Sequence, residues 1–502
     1  MLKKSLFLLF FLPTFLLKAQ KKDSVLQHYM NEIHKDSIMQ HLIILASDEY
    51  EGRGTFEAGN IKAMEYLMRQ YLVHHLQMLG NVREKRHYAQ PFVLKKGNFS
   101  ECFFIANEKR YESINDFLPC NIFEQGGEAH DLVFAGLGRA DSAYNYFTKT
   151  NITGKWVAIL LENTPKDAHK ASSSIQAKAR LAKQNGAKGV FFIQRDADTY
   201  RLNKETLVMH ESKYEIREIV ETQLSFPIFT FKQKTIAEIF KIKNKVFGKF
   251  LDSVATQKNT KIQPLATNIK IFTTTNKEQH KAVNIIGCIE GTDLRSEAII
   301  VSAHFDHLGK KEGTIYNGAN DNASGTSTLL EMLRILDKMR REGYKPRRTI
   351  IFAAFTAEEY GLWGSKFYTQ YPLFPLENTK FNVNIDMVGV YKWKNKKKRI
   401  DIAVVEDENP IFRAQQKKLV ESYQLNLDID YSYSDKNHSM NLFYRSDHYN
   451  FAKKGIPIAF FNNMNDRDYH QPTDDIKNIE PDAMQEVAKL ILATIWTEAN
   501  KP

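Results

Sequence analysis

The strongest constraint on this chain is a set of short apolar runs rich in β-branched residues: EAIIVSAHFDH, RTIIFAAFTAEE, FNVNIDMVG and GIPIAFFNN. They are apolar at consecutive rather than alternate positions, as strands buried on both faces are. Between the first two lies ASGTSTLLEMLRILDKMRREG, which has helical spacing, a basic last turn and a closing glycine. An earlier run, NIIGCIEG, adds a further strand. Strand, helix and strand in alternation restrict the region from about Ala282 onward to an α/β fold. Its sheet should be mixed but mostly parallel and sandwiched by helices.

In such a sheet the ligand site lies beyond the carboxyl ends of the strands. The first run ends in His304 and Asp306, the second in Glu358 and Glu359, and the third in Asp386; the fourth leads into MNDRDYHQPTDD, which carries His470. Asp321 sits on the loop NGANDNASG before the helix. So many carboxylates at one rim would repel one another and take up protons unless cations bind there. Divalent metals resolve the conflict, and zinc takes imidazole nitrogen and carboxylate oxygen. A carboxylate has two oxygens and can bridge two metals roughly 3.5–4 Å apart. The small neighbours of Asp321, namely Gly318, Ala319, Ala323 and Gly325, suit a loop built to present one bridging acid. Adjacent residues at a strand end point apart, so of Glu358 and Glu359 one can hold metal while the other moves a proton. Asp306 is placed to accept the second N–H of His304.

At 502 residues the chain exceeds one ordinary core. Its first residues, MLKKSLFLLFFLPTFLLKAQ, pair lysines with an apolar stretch, as a secretory signal peptide does. The expected protein is exported, periplasmic or secreted, with no stable membrane insertion. The formal charge of +11 is scattered apart from KWKNKKKR at Lys392–Arg399, read as a solvated hairpin tip, so no nucleic-acid partner is expected. Three cysteines make no disulfide scaffold, although a Cys102–Cys120 bridge stays open. Helical periodicity covers Asp23–Leu79 and stops at Gly80. From about Lys96 to Lys261 the short runs DLVFAGLG, KWVAILLE, GVFFIQ and FPIFTF surround the helix SIQAKARLAKQNGAKG, the texture of a smaller inserted α/β domain. The expected organisation is a signal peptide over 1–20, the start of the main domain over 21–95, the insert over 96–262 and the rest of the main domain over 263–502.

The motifs SAHFDHLG, NGANDNASG, TAEEYGLWGS, NIDMVG and YHQPTDD resemble those of the co-catalytic zinc aminopeptidase family that also contains the glutamate carboxypeptidases. The early LASDEYEGRG loop is similar too. GLG, ITGKWVAIL and AKQNGAKGVFFI resemble, less specifically, the protease-associated domain of many members. The resemblance implies a zinc exopeptidase fold and two zinc ions per chain. His304 and Asp386 would bind one zinc and Glu359 and His470 the other, with Asp321 bridging. Glu358 would be general base and acid, and Asp306 would support from behind. A non-proline cis peptide would follow Asp321. His307 and His438 are read as structural or pocket-lining, and Asp447 and His448 as non-ligands. The substrate would be a peptide, most simply cleaved from its amino end. Alternatives are a carboxypeptidase using Arg445 for an α-carboxylate, a glutaminyl cyclase, a receptor-like binding protein, or a two-metal carbohydrate or phosphate hydrolase. No Gly-rich phosphate cradle favours the last. Oligomeric state is not legible.

Overall fold

The computed structural model describes residues 23–502 except 83–84, 114, 121–122, 124, 139–146, 148–150, 162–167, 196–212, 217–225, 257–264, 392–398 and 464–466. The expected signal peptide, and the lysine-rich run apart from Arg399, lie outside the described residues. The chain divides into two compact units, one of Met1–Pro91 with Ala282–Pro502, the other Phe92–Lys281.

The first unit opens with helices α1 (Ser24–Asn31), α2 (Lys35–Leu45) and α3 (Ala58–Val73). Asp23 caps α1 by accepting from the N–H groups of Val25 and Leu26. Helix α3 ends at Val73, before the Gly80 stop expected from its sequence. His75 turns the chain with φ 49°, and Gln77–Met78 pairs with Gly287 and Cys288 as a short strand. The apolar residues after Val73 thus serve a sheet edge rather than another helical turn.

The sheet of this unit uses the Ile285–Ile289 end of β1 (Ala266–Ile289), then β2 (Leu294–His304), β3 (Arg348–Phe355), β4 (Thr379–Ile385), β5 (Ile400–Glu406), β6 (Leu427–Asp430) and β7 (Ile458–Asn462). Their spatial order is β6-β5-β7-β4-β2-β3-β1. β2 runs parallel to both β3 and β4, and β4 parallel to β7, while β1 against β3 and β5 against β7 are antiparallel. The α/β class with a mixed sheet is therefore as expected.

Alternation along β2 and β3 splits the core in two. Ile299, Val301, Ile350 and Phe352 pack with the buried faces of α2, α4 (Gly325–Arg341) and the C-terminal helix α5 (Pro481–Asn500). Ile300, Ile351 and Phe355 pack on the other side with Tyr368, Phe451 and Phe460. Burial on both faces explains why these strands read as unbroken apolar runs.

The second unit has four parallel strands, Gln125–Phe134, Trp156–Leu160, Gly189–Gln194 and Ile228–Lys232. Phe117–Pro119 pairs with Ile228–Lys232, and the Ala266–Thr273 stretch with Gln125–Phe134, both antiparallel. Val157 and Ile159 face one core with Ala179 and Ala182 of helix Ala168–Gln184. Trp156, Ala158 and Leu160 face another, rich in phenylalanine, with helices Gln233–Ile239 and Asn244–Ala255. The unit extends beyond both of the boundaries suggested by composition. Cys102 and Cys120 are not bridged. Among the described residues no helix is long and apolar enough to cross a membrane.

Candidate metal centre

Each acid or imidazole at the rim arrives on a segment whose backbone is fixed by its neighbours. His304 ends β2, flanked by β3 and β4. Asp386 follows β4, and its N–H donates to Phe461 O at 3.1 Å. Glu358 and Glu359 follow β3, and their N–H groups donate to the two oxygens of Asp306 at 3.2 and 3.4 Å. Ala357, Met387 and His470 have φ 58°, a left-handed backbone that costs roughly 1–3 kcal/mol in a non-glycine residue and clusters at functional sites.

The NGANDNASG loop is tied to the strand end that carries Asp386. Asn320 Oδ1 accepts from Gly389 N (2.8 Å), Asn322 Oδ1 from Met387 N (3.1 Å) and Gly325 N (3.0 Å), and Ser324 Oγ from Val388 N (3.0 Å). Asn322 Nδ2 donates to Ile385 O at 3.2 Å. Asp474 accepts from Asn320 N (2.8 Å) and Asp321 N (3.0 Å). Burial raises the Asp474 carboxyl to about 6 against these two hydrogen bonds. Gly318 has φ +57°, and a Cβ there would lie 2.2 Å from Asp321 O. The Asp321–Asn322 peptide is cis.

Asp321 is buried and its two oxygens face different partners. Oδ1 lies 3.5 Å from His304 Nε2, which is 3.3 Å from Asp386 Oδ1. Oδ2 lies 3.2 Å from His470 Nε2, which is 2.9 Å from Glu359 Oε2. His304, Asp321 and Asp386 form one group with metal-ligand spacing, and His307, Asp321 and Glu359 another. His307, read from sequence as structural or pocket-lining, is fully buried here and donates from Nδ1 to Glu359 Oε1 at 2.8 Å. His448 and Asp447 belong to neither group.

Asp306 lies behind His304: His304 Nδ1 is 3.2 Å from its main-chain oxygen and 3.7 Å from its carboxylate. The carboxylate is engaged by Thr55 Oγ1 (2.8 Å) and the two glutamate N–H groups.

Charge in the site is tightly balanced. Burial pushes the His304 imidazole down, yet Glu358 and Asp386 hold it well above its ordinary range. His470 is likewise raised to about 10 by Glu359 and Asp321 despite its burial. Burial keeps the Glu358 carboxyl well above the carboxylate range; His304 opposes this, and Glu359, Asp386 and Asp447 add to it. Glu359 is held well below that range by His470 and His307 against its burial.

The donor set fits zinc. Tetrahedral ligands at 2.0–2.2 Å stand roughly 3.3–3.6 Å apart, which the 3.5 and 3.3 Å spacings around His304 match, while those around His470 are shorter at 3.2 and 2.9 Å. His470 Nε2 and Asp386 Oδ1 are buried and make no hydrogen bond, which suits atoms aimed at a cation. A cleft opens beside them, lined by Glu358, the apolar Met387, Met440, Leu442 and Phe460, and Arg445 and Tyr469.

Residues 284–495 match the model of peptidase family M28. That match covers less than half of the chain. The chain is 28% identical over 226 residues to aminopeptidase YwaD of Bacillus subtilis, covering 43% of this chain and 45% of that protein. It is 32% identical over 241 residues to aminopeptidase Y of Saccharomyces cerevisiae, covering 44% and 39%. The chain spans less than half the length of these curated relatives. The solved aminopeptidase from Aneurinibacillus sp. strain AM-1 aligns over 95% of this chain and 97% of its own, with TM-score 0.56 and 18% identity, a likeness of fold. All seven site residues expected from sequence meet at the M28 rim. Arg53 and Asp474 were missed, because only the folded backbone reveals what they hold.

Proposed function

We propose that this chain is a zinc-dependent exopeptidase, most simply an aminopeptidase. Its relatives' names support the aminopeptidase reading. One observation carries the metal reading: the two oxygens of Asp321 face two separate His–carboxylate pairs. His304 and Asp386 would hold one zinc, Glu359 and His470 the second, and Asp321 both. Bound zinc would supply Lewis acidity toward the attacking water and the peptide carbonyl. His307 fixes one oxygen of Glu359 and leaves the other beside His470. Glu358 is the group left to move protons. Its raised carboxyl suits a base that takes a proton from water and returns it to the departing amine. Asp306 holds the main chain of that residue in place. The apolar wall of the cleft would receive a substrate side chain. On its motifs we assign the Phe92–Lys281 unit to the protease-associated type.

Arg445, lining the same cleft, favours a second reading as a carboxypeptidase, in which its guanidinium pairs with a terminal carboxylate. Peptides blocked at either end, assayed with and without a chelator, separate the two. Aminopeptidase action requires a free amine and disappears with chelation. Glu358→Gln should keep its zinc and lose at least ~100-fold in turnover; a zinc-loaded variant with near-normal turnover removes Glu358 from the chemistry.

A further inference from the structure

The segment Gly52–Asn60 precedes the M28 match and supplies no donor to the metal groups, yet it reaches the segments that carry His304, Asp321 and the Glu358–Glu359 pair. Arg53 is fully buried, with φ 54°. Its guanidinium gives four hydrogen bonds, all to main-chain oxygens: Nε to Phe305 (2.9 Å), Nη1 to Leu45 (2.6 Å) and Asn317 (2.7 Å), and Nη2 to Gly318 (2.9 Å). Phe305 is the residue after His304, and Asn317–Gly318 begins the loop of Asp321. One rigid fork therefore ties the chain beside a terminal imidazole to the chain that presents the bridging acid, and both to the end of α2. The Arg53 carbonyl accepts from His307 N at 3.3 Å. Thr55 donates to Asp306 Oδ2, the carboxylate that holds the N–H groups of Glu358 and Glu359. Asn60 completes the strap by donating to Arg53 O (3.1 Å) and Thr356 Oγ1 (3.3 Å).

We infer that Arg53 and Thr55 are positioning residues of the metal centre, setting the spacing of His304, Asp321 and the Glu358–Glu359 pair without touching metal or substrate. The inference rests on the two-metal reading above. A guanidinium suits the task because its planar donors have fixed directions, whereas a lysine ammonium offers three donors around one point. Burial lowers the Arg53 guanidinium to about 10, opposed by Asp474, Asp321, Asp306 and Glu359, so it stays charged at neutral pH. A fold staple alone would stabilise the apo protein equally; a positioning role also acts on metal affinity.

The test uses the full chain with Thr55→Val, Thr55→Ser and Arg53→Lys. Zinc affinity is measured by competition with a chromophoric chelator, site geometry by the visible absorption of the cobalt-loaded protein, and the metal-free fold by thermal unfolding. Outer-shell losses of this kind weaken metal binding ~10–100-fold. Thr55→Val should fall ~10-fold with a changed cobalt spectrum and a loss in kcat larger than any rise in KM; Thr55→Ser should restore all three. Arg53→Lys should fall toward ~100-fold. If Arg53→Lys does not fold, the Thr55 pair still decides. Variants with reduced metal-free stability but wild-type zinc affinity and cobalt spectrum overturn the inference. A wild-type chain that binds no zinc overturns the reading beneath it, which is a different result.

Discussion

Replacing Asn322 with alanine tests how the bridging loop is held. The Asn322 amide oxygen accepts from Gly325 N and Met387 N, and its Nδ2 donates to Ile385 O, all in a fully buried site. Truncation strands the Met387 N–H and removes the donor to Ile385 O, while the Gly325 N–H keeps the main-chain oxygen of Asn322. A buried polar group left without a partner costs about 1–3 kcal/mol. For a cooperative unit of this size that is roughly 2–5 °C in Tm. Met387 adjoins Asp386, so Asn322→Ala should also lower zinc content, measured by elemental analysis after dialysis. Asn322→Asp separates the contributions. It keeps an oxygen for the N–H groups of Met387 and Gly325 and loses the amide donor to Ile385 O, so it should recover part of the alanine loss. Urea unfolding of both variants beside wild type gives the answer. An Asn322→Ala protein within about 1 kcal/mol of wild type, with full zinc, would refute the claim that this side chain secures the loop.

Asp321→Asn should lose metal from both groups at once, so elemental analysis should show a collapse of total zinc rather than loss of one ion. Gly318→Ala must hold φ +57° with a Cβ 2.4 Å from His307 Cδ2 and should lose at least ~1 kcal/mol, read by chemical denaturation. Burial lowers the His448 imidazole to about 3 and that of His41 to about 4, from 6.5. Below pH 6.5 the unfolded chain binds protons that the fold refuses, so stability falls as pH drops toward 4, by about 1.4 kcal/mol per unit for each histidine. His448→Gln should remove one proton's share of that slope, and an unchanged slope would count against the assignment.

The sheet and the candidate ligands at its rim were legible because two signals coincide. Strands buried on both faces announce themselves as unbroken apolar runs, and His304, Glu358, Glu359 and Asp386 stand at or just beyond their ends. What escaped depends on contacts between distant main chains. Nothing local marks Arg53 as a fork for the carbonyls of Phe305, Asn317 and Gly318, or Asp474 as the acceptor for Asn320 and Asp321. His307 looked structural because its motif already had a histidine and an acid to spare; only the fold sets it against Glu359. A spacing of two residues brings Asp306 back toward His304, but that its carboxylate also takes the amides of Glu358 and Glu359 is visible only in the fold.

β2 lies between β4 and β3, so His304 has the strand of Asp386 on one side and the strand of the two glutamates on the other. Neighbouring strands sit ~4.8 Å apart, and the hydrogen-bond ladder is among the stiffest rulers a protein possesses. In the proposed two-metal site, the gauge of the ion pair would thereby be cut into the sheet itself. Variation among chains of this plan could then be written in the cleft's walls, changing which peptide enters while the proposed hydrolytic machinery kept its pitch.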